Sequence, residues 1–171
     1  VAGRYSFGDL ATLRGGYSTG FRAPTPGQSN YTGIVTSFDG PTGMQVQEGT
    51  VRPDDPLAVA LGGALLVPEE ATNTSFGFTT SPIDNLSLTF DMYTIDIVNK
   101  IIKSRSLPVE NNPEFKKLAF YTNALDTETS GFDLVLTYRM GDTNLGLAMN
   151  HNETKMVEHR KIGPDQLDPI S

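Results

Sequence analysis

The chain contains no cysteine among its 171 residues. Disulfide bonds, thiolate zinc sites and thiol nucleophiles are therefore excluded. Histidine is nearly absent too: His151 and His159 are the only two, and no other ligand residue accompanies them at metal-binding spacing. We expect both to be surface histidines, and we predict neither a metal site nor a cofactor.

Long hydrophobic runs are missing as well. The most apolar stretch, residues 57–67, is interrupted by Gly62 and Gly63, whereas a membrane helix needs about 20 apolar residues. No helix is therefore expected to span a bilayer. A transmembrane β-barrel is still allowed, because only every second residue of its strands meets lipid.

Basic residues are outnumbered by acidic ones. The chain has 13 Lys and Arg against 20 Asp and Glu, which gives a net charge of −7. A surface of this sign repels phosphate backbones, so we expect no nucleic-acid partner.

Catalytic motifs are also lacking. Ser, His and Asp all occur, but no nucleophile-elbow motif does. The Gly15-Gly16 and Gly62-Gly63 pairs are not followed by Gly-Lys-Ser/Thr, so neither forms a phosphate-binding loop. The sequence therefore predicts that the protein is not an enzyme.

What the sequence does contain is alternation of polar and apolar residues. In residues 86–92, Leu86, Leu88, Phe90 and Met92 alternate with polar residues, and the preceding arm, 69–80, has the same period. A period of two with a turn at residues 81–85 predicts a β-hairpin with two different faces. Similar alternation over residues 3–19 and 132–150 predicts two further hairpins.

The connections between these strands alternate in length. Residues 8–9, 81–85 and 140–143 form short turns, whereas residues 20–67, 99–121 and the polar tail after Glu153 are long. In an up-and-down antiparallel sheet, all short turns then lie at one end. Strands of about ten residues with such loops are typical of outer-membrane barrels. The predicted fold is therefore all-β: an antiparallel up-and-down meander of about six strands, part of a large transmembrane β-barrel.

The long connections are expected to carry short helical turns. Asp55 and Pro56 predict a capped helix that ends near Gly62, and Asn112-Pro113-Glu114 predicts a second capped turn. Connections of this length are normally functional or disordered.

Two alternatives fit part of the pattern. A soluble or secreted β-sandwich that binds carbohydrate or a protein partner also has alternating strands, but its apolar rows meet across a dry core. An outer-membrane enzyme would need a Ser/His pair near one strand end, and His151 has no convincing partner there. The discriminating observation is whether a second sheet covers the apolar rows.

The chain resembles the barrel of a TonB-dependent outer-membrane receptor. The resemblance covers most of the chain and rests on four segments in order: residues 17–24 (YSTGFRAP), 68–73 (PEEATN), 85–97 (NLSLTFDMYTIDI) and 122–134 (TNALDTETSGFDL). The family's barrels have about 22 strands and a plugged lumen. The resemblance thus implies that residues 1–171 are a partial barrel from the C-terminal half, truncated at both ends and without the plug domain. Such a fragment is not expected to function or insert alone.

The resemblance also implies a function for the intact protein. It would reside in the bacterial outer membrane and take up a scarce nutrient such as a ferric siderophore, cobalamin or a carbohydrate. Its partners would be outer-membrane lipid, its own plug domain, the TonB energy-coupling complex and the nutrient or metal chelate.

The polar face of the strands would then line the lumen and contact the plug or the substrate path. These positions are Arg14, Asn73, Ser75, Asp91, Asp133, Arg139, Asn144 and Asn150. The alternative is that they only solvate a wet wall. Arg22, at the start of a long loop, suits an anionic chelate or a plug carboxylate, or it anchors the loop through an ion pair.

Overall fold

The computed structural model describes residues 1–38, 41–109, 112, 114–163 and 168–170. Within these residues the chain forms ten strands and two short helices: β1 (Ala2–Phe7), β2 (Ala11–Arg22), α1 (Pro26–Asn30), β3 (Gly33–Phe38), β4 (Gln45–Thr50), α2 (Pro56–Ala60), β5 (Glu69–Thr80), β6 (Leu86–Lys103), β7 (Leu107–Pro108), β8 (Lys117–Ala119), β9 (Tyr121–Met140) and β10 (Thr143–His159).

Six strands form one antiparallel sheet in the order β1-β2-β5-β6-β9-β10. Each strand lies beside the next member of this series along the chain, which is the up-and-down meander that the alternation predicted. β1 and β2 pair from Ala2↔Gly16 to Phe7↔Ala11. Gly8 closes their turn with a φ of 56°, a left-handed conformation that glycine adopts without steric cost. The predicted fold class is confirmed.

Three strands are longer than predicted. β6 has 18 residues, β9 has 20 and β10 has 17, against the expected ten or so. The prediction of a polar tail after Glu153 is wrong for residues 154–159, because β10 continues to His159. Side-chain polarity marks where a strand meets water, but backbone pairing continues regardless of the side chains.

The long connections are more ordered than the sequence predicted. They contain a second sheet, of order β3-β4-β8-β7, in which β4 and β8 pair in parallel. The predicted helix is confirmed as α2, where the Asp55 carboxylate accepts the N–H of Leu57 at 2.9 Å. α1 was not predicted, although Thr25 and Gln28 form a capping box at its start.

The second predicted helical turn is only partly visible. The Asn112 side chain accepts the N–H groups of Glu114 and Phe115 at 2.8 and 2.9 Å, but Pro113 lies outside the described residues, and the described residues around it are not helical. No helix in the described part of the chain is long and apolar enough to cross a membrane.

The chain divides into two compact units. The first, here called the wall unit, comprises Val1–Gly20, Glu70–Ile97 and Thr127–Val157. The second, the loop unit, comprises Phe21–Glu69, Val98–Asp126 and Glu158–Ser171. Every short turn of the meander belongs to the wall unit, and the second sheet and both helices belong to the loop unit.

The loop unit contains the hydrophobic core. Its buried cluster consists of Val51, Ala58, Leu107, Phe115, Leu118, Phe120, Ala124 and Ile162. In the wall unit, by contrast, apolar side chains are left exposed: Met92, Leu145, Leu147 and Met149 expose between 50% and 53% of their surface. A β-sandwich would bury these rows against a second sheet, so the sandwich alternative is wrong.

Candidate functional site

The polar face of the wall unit brings together several residues that the sequence singled out. The Arg14 guanidinium lies against the Asp91 carboxylate, and its Nε donates to Asp91 Oδ1 at 2.8 Å. Arg14 Nη1 also donates to Thr79 Oγ1 at 3.1 Å. One side chain therefore links β2, β5 and β6 on a single face of the sheet.

The same face carries two further pairs of predicted residues. Asn150 donates to the Asp133 carboxylate between β10 and β9, at 2.5 Å. Near the neighbouring turn, Arg139 Nε donates to Asn144 Oδ1 at 3.2 Å. Six of the predicted residues thus form three cross-strand pairs, as expected for side chains that share one face of a pleated sheet.

Asn73 and Ser75 lie on this face without joining those pairs. Asn73 donates to Ser18 Oγ at 3.4 Å. The Ser75 hydroxyl lies close to β2, since a Cβ added at Gly16 would be only 2.9 Å from its Oγ. Both positions therefore face β2.

Glycines make room for the large polar side chains. A Cβ at Gly77 would lie 2.0 Å from Asp91 Oδ1 and 2.9 Å from Arg14 Nε. The ion pair therefore lies flat over the backbone of β5. Tyr93 does the same over Gly131, where a Cβ would lie 2.7 Å from the tyrosine oxygen. Sequence reasoning missed both glycines, although glycine inside a strand often marks a close approach.

Open cavities border two of these pairs. One, of about 380 Å³, is lined by Arg14, Ser75 and Asp91 among others. The other, of about 440 Å³, is lined by Arg139 and Asn144 together with turn residues that include Asp84. The Arg14 and Asp91 side chains are 40% and 37% exposed, so this pair is both ordered and accessible to a partner.

Arg22 lies elsewhere, in the loop unit, where it is paired with Glu69. Its Nε and Nη2 donate to the two carboxylate oxygens at 3.0 and 2.6 Å, and the N–H of Ile101 donates to the same carboxylate at 2.8 Å. Arg22 ends β2 and Glu69 begins β5. The pair therefore closes the base of connection 23–68, and a role in substrate contact stays a prediction.

Glu69 is the less exposed partner of this clamp. Its side chain is only 11% exposed, whereas that of Arg22 is 55% exposed. Burial by itself raises the pKa of Glu69, but the hydrogen bonds from Arg22 and the Ile101 N–H outweigh that effect, so the net pKa is lowered. The carboxylate is therefore held in its charged form.

The Glu69→Gln variant tests the clamp. At pH 7 we expect faster hydrogen exchange at the Ile101 amide and in residues 23–68 of the variant. Because the folded-state pKa is below the unfolded value, the clamp's contribution is present above the unfolded pKa, about 4.3, and is lost as pH falls through the lower folded-state pKa. Wild-type exchange, corrected for intrinsic rates, should therefore approach that of the variant in acid. Glu70→Gln, at the exposed neighbouring position, is the matched control, and equal protection in all three proteins would contradict the clamp.

A second network joins β6, β9 and the residue that follows β10, and we call it the loop-base network. Its members are Asn99, Asn123, Asp126 and Arg160. Asn99 adopts a φ of 57°; its N–H donates to Asp126 at 2.9 Å and its C=O accepts from the Asn123 amide. Arg160 donates to Asp126, to Asn99 Oδ1 at 3.3 Å and to the Asn123 carbonyl at 3.1 Å.

The same network reaches the end of connection 23–68. Asn123 Oδ1 accepts from the N–H of Val67 at 2.9 Å, and its Nδ2 donates to the Val67 carbonyl at 3.0 Å. Sequence reasoning missed this network. The available signal was Asn123, which lies in one of the family-like segments, whereas Arg160 fell in the expected polar tail.

The histidines hold no metal-binding arrangement. The His151 ring lies beside Phe132, and His159 Nε2 lies 3.3 Å from the Asp168 carboxylate. Among the described residues, no group of three or more acidic or histidine side chains is placed to hold a metal ion.

Comparison with known proteins gives one family and several similar folds. The family described as "TonB dependent receptor-like, beta-barrel" matches residues 1–161. The siderophore receptor PirA from Pseudomonas aeruginosa is 16% identical with a TM-score of 0.63, over 92% of this chain and 27% of that one. A mutant of the ferric enterobactin receptor PfeA from the same species is 20% identical with a TM-score of 0.56, over 90% and 21%.

PirA from Acinetobacter baumannii is also similar, at 17% identity and a TM-score of 0.51, over 92% of this chain and 22% of that one. The chain therefore spans about a quarter of the length of these receptors. At such identities the likeness is one of fold. No protein with a curated description matches the chain.

Proposed function

The chain belongs to the β-barrel family of TonB-dependent receptors, and from this premise we propose that the whole protein imports a scarce nutrient across the outer membrane. A ferric siderophore is the first substrate class to test, because the similar solved structures are described as siderophore or ferric enterobactin receptors. Cobalamin and carbohydrates are the other classes. The observation that carries the proposal is the family match over residues 1–161.

Family membership places the chain in the bacterial outer membrane. It also confirms the prediction that the chain is not an enzyme, since receptors of this family are transporters.

We propose that the polar face of the wall unit lines the lumen and contacts the plug domain. Residues 1–171 would be one stretch of the barrel, and the plug and the TonB energy-coupling complex would be its partners. The Arg14–Asp91 pair supports this proposal because it is held in place yet more than one third exposed. An ion pair of this kind offers both a donor and an acceptor to an opposing surface.

The test is uptake by the intact receptor. A strain lacking the gene and the same strain complemented with it are supplied with labelled ferric siderophores, cobalamin and oligosaccharides. We expect one class to accumulate only in the complemented strain, and only while the TonB complex is present. Uptake that persists after removal of that complex, or no receptor-dependent uptake of any class, would overturn the proposal.

A further inference from the structure

The face opposite the polar one has a sharp border. Four rings from four adjacent strands follow one another across it: Phe78, Phe90, Phe132 and His151. The centroids of neighbouring rings in this series are 5.8, 6.0 and 5.7 Å apart. We call this row the aromatic row. All four residues belong to the wall unit.

On β6, β9 and β10 the side chains on the turn side of the aromatic row are apolar. Because strand side chains alternate between faces, the residues that share this face lie two positions apart. They are Leu88 and Leu86 on β6, Leu134 and Leu136 on β9, and Met149 and Leu147 on β10. Leu147 and Met149 are about half exposed, at 52% and 50%.

At the next two positions beyond the aromatic row, the same face becomes polar on β9 and β10. β9 presents Ser130 and Glu128, and β10 presents Glu153 and Lys155, whose charged groups lie 3.1 Å apart. β5 and β6 carry one more apolar residue each, Phe76 and Met92, and the next residue on this face is a threonine on both strands, Thr74 and Thr94. On β9 and β10 the change from apolar to charged side chains therefore occurs within two positions of the same face.

Strand length agrees with this border. A bilayer needs only about 9–11 residues of a tilted transmembrane strand. β6, β9 and β10 have 18, 20 and 17 residues. A large part of each strand must therefore lie outside hydrocarbon, and a lipid-facing ion pair such as Glu153–Lys155 is costly within it.

We propose that the hydrocarbon of the outer membrane ends at the aromatic row. Acyl chains contact the apolar side chains between the short turns and the row, and the same face beyond it is in contact with water and lipid headgroups. The His151 ring suits this border, because it is apolar along its body and polar at its nitrogens. The inference rests on the proposed outer-membrane function and adds the residues at which lipid contact stops.

Depth measurements on the whole receptor in phospholipid liposomes test this border. The chain contributes no cysteine of its own, so nitroxide labels are attached to single cysteines introduced on β10. Leu147→Cys reports the apolar face, Lys155→Cys reports the same face beyond the row, and Ala148→Cys is the matched neighbour on the opposite face. We expect the ratio of accessibility to oxygen over that to a polar nickel complex to be several-fold higher at position 147 than at 155 or 148.

A second strand keeps the test independent of any one variant: Leu134→Cys and Glu128→Cys on β9 should give the same contrast. A high ratio of oxygen to nickel accessibility at both 155 and 128 would place the border farther from the short turns and overturn the inference. Nickel accessibility at 147 and 134 equal to that at 155 would also overturn it.

Uptake measured on the same variants separates the two proposals. If the border lies at another row but the receptor still carries out energised uptake, only the inference about the border is wrong. If the depth profile is the expected one but the receptor imports nothing, only the proposed transport function is wrong.

Discussion

Replacement of Phe120 with alanine is expected to destabilise the loop unit by about 3–5 kcal/mol, the usual cost of truncating a fully buried aromatic side chain. Phe120 is 0% exposed, as are Leu107 and Leu118 in the same cluster. The measurement is limited proteolysis of the whole receptor in detergent. We expect new cleavage in residues 23–68 and 104–120, because both connections contribute to this core.

The matched control is Phe38→Ala, since Phe38 is in the same unit but 65% exposed. It should leave the cleavage pattern unchanged. The barrel itself should stay folded in both variants, as judged by its heat-dependent mobility on SDS gels. Equal protease resistance in Phe120→Ala and the parent would show that the two connections do not depend on a shared core.

The reason to expect a shared response is that the two long connections are paired with each other. β4 belongs to the first and β8 to the second, and their parallel register runs from Glu48↔Lys117 to Thr50↔Ala119. Glu48 reinforces the pairing with a 3.6 Å ion pair to Lys117. Disrupting the core beneath one connection therefore removes support from the other.

The meander could be predicted because each of its strands has one polar and one apolar face. This difference leaves a local pattern in the sequence. Residues such as Leu86, Leu88 and Phe90 alternate with polar neighbours within a single strand, so their period is visible without knowing any partner. The short turns are local too, as the residues between β5 and β6 show. Strand ends were underestimated, because the apolar period stops near Met92 while β6 continues to Lys103.

The loop unit could not be predicted in the same way. β4 pairs with β8 across more than sixty residues of chain (Glu48↔Lys117), and no periodicity within either segment identifies the other. Parallel pairing of this kind requires a long loop to close. Neither the entropic cost of that closure nor the contacts that it forms can be recognised from one segment alone. The short local signals were different, since Asp55 before Pro56 was sufficient to predict α2.

For the candidate site, residue types were predictable but partners were not. The alternation placed Arg14 and Asp91 on one face, yet their sequence separation of 77 hides the ion pair. For Arg22 the sequence allows either a substrate contact or a loop anchor, and only the position of Glu69 shows which partner it has. Glycines such as Gly77 carry no side chain that suggests a role, so the space they provide becomes visible only in three dimensions.

Removal of Arg160 is expected to have the other large effect. The Asp126 side chain is 12% exposed and that of Arg160 is 37% exposed. Truncation to alanine leaves the carboxylate with the Asn99 N–H as its remaining described donor. Breaking a fully buried pair costs about 3–5 kcal/mol; because Arg160 is partly solvated, we expect about 2–3 kcal/mol.

Hydrogen exchange at the Asn99 amide measures this cost, because that N–H is bonded directly to Asp126. A loss of about 2–3 kcal/mol corresponds to exchange that is roughly 30- to 150-fold faster when exchange follows local opening. Arg160→Lys keeps the charge but loses the planar fork that reaches Asp126, Asn99 and Asn123 together, so its exchange should fall between wild type and Arg160→Ala.

The double variant Asp126→Asn, Arg160→Ala separates the ion pair from packing. With the carboxylate neutral, no uncompensated charge is left behind, and exchange should be slower than in Arg160→Ala alone. Lys161→Ala, at the exposed position next in the chain, is the control for a change in net charge. If Arg160→Ala and Lys161→Ala exchange equally, Arg160 contributes no more than a solvated surface charge, and the loop-base network does not hold these strand ends together.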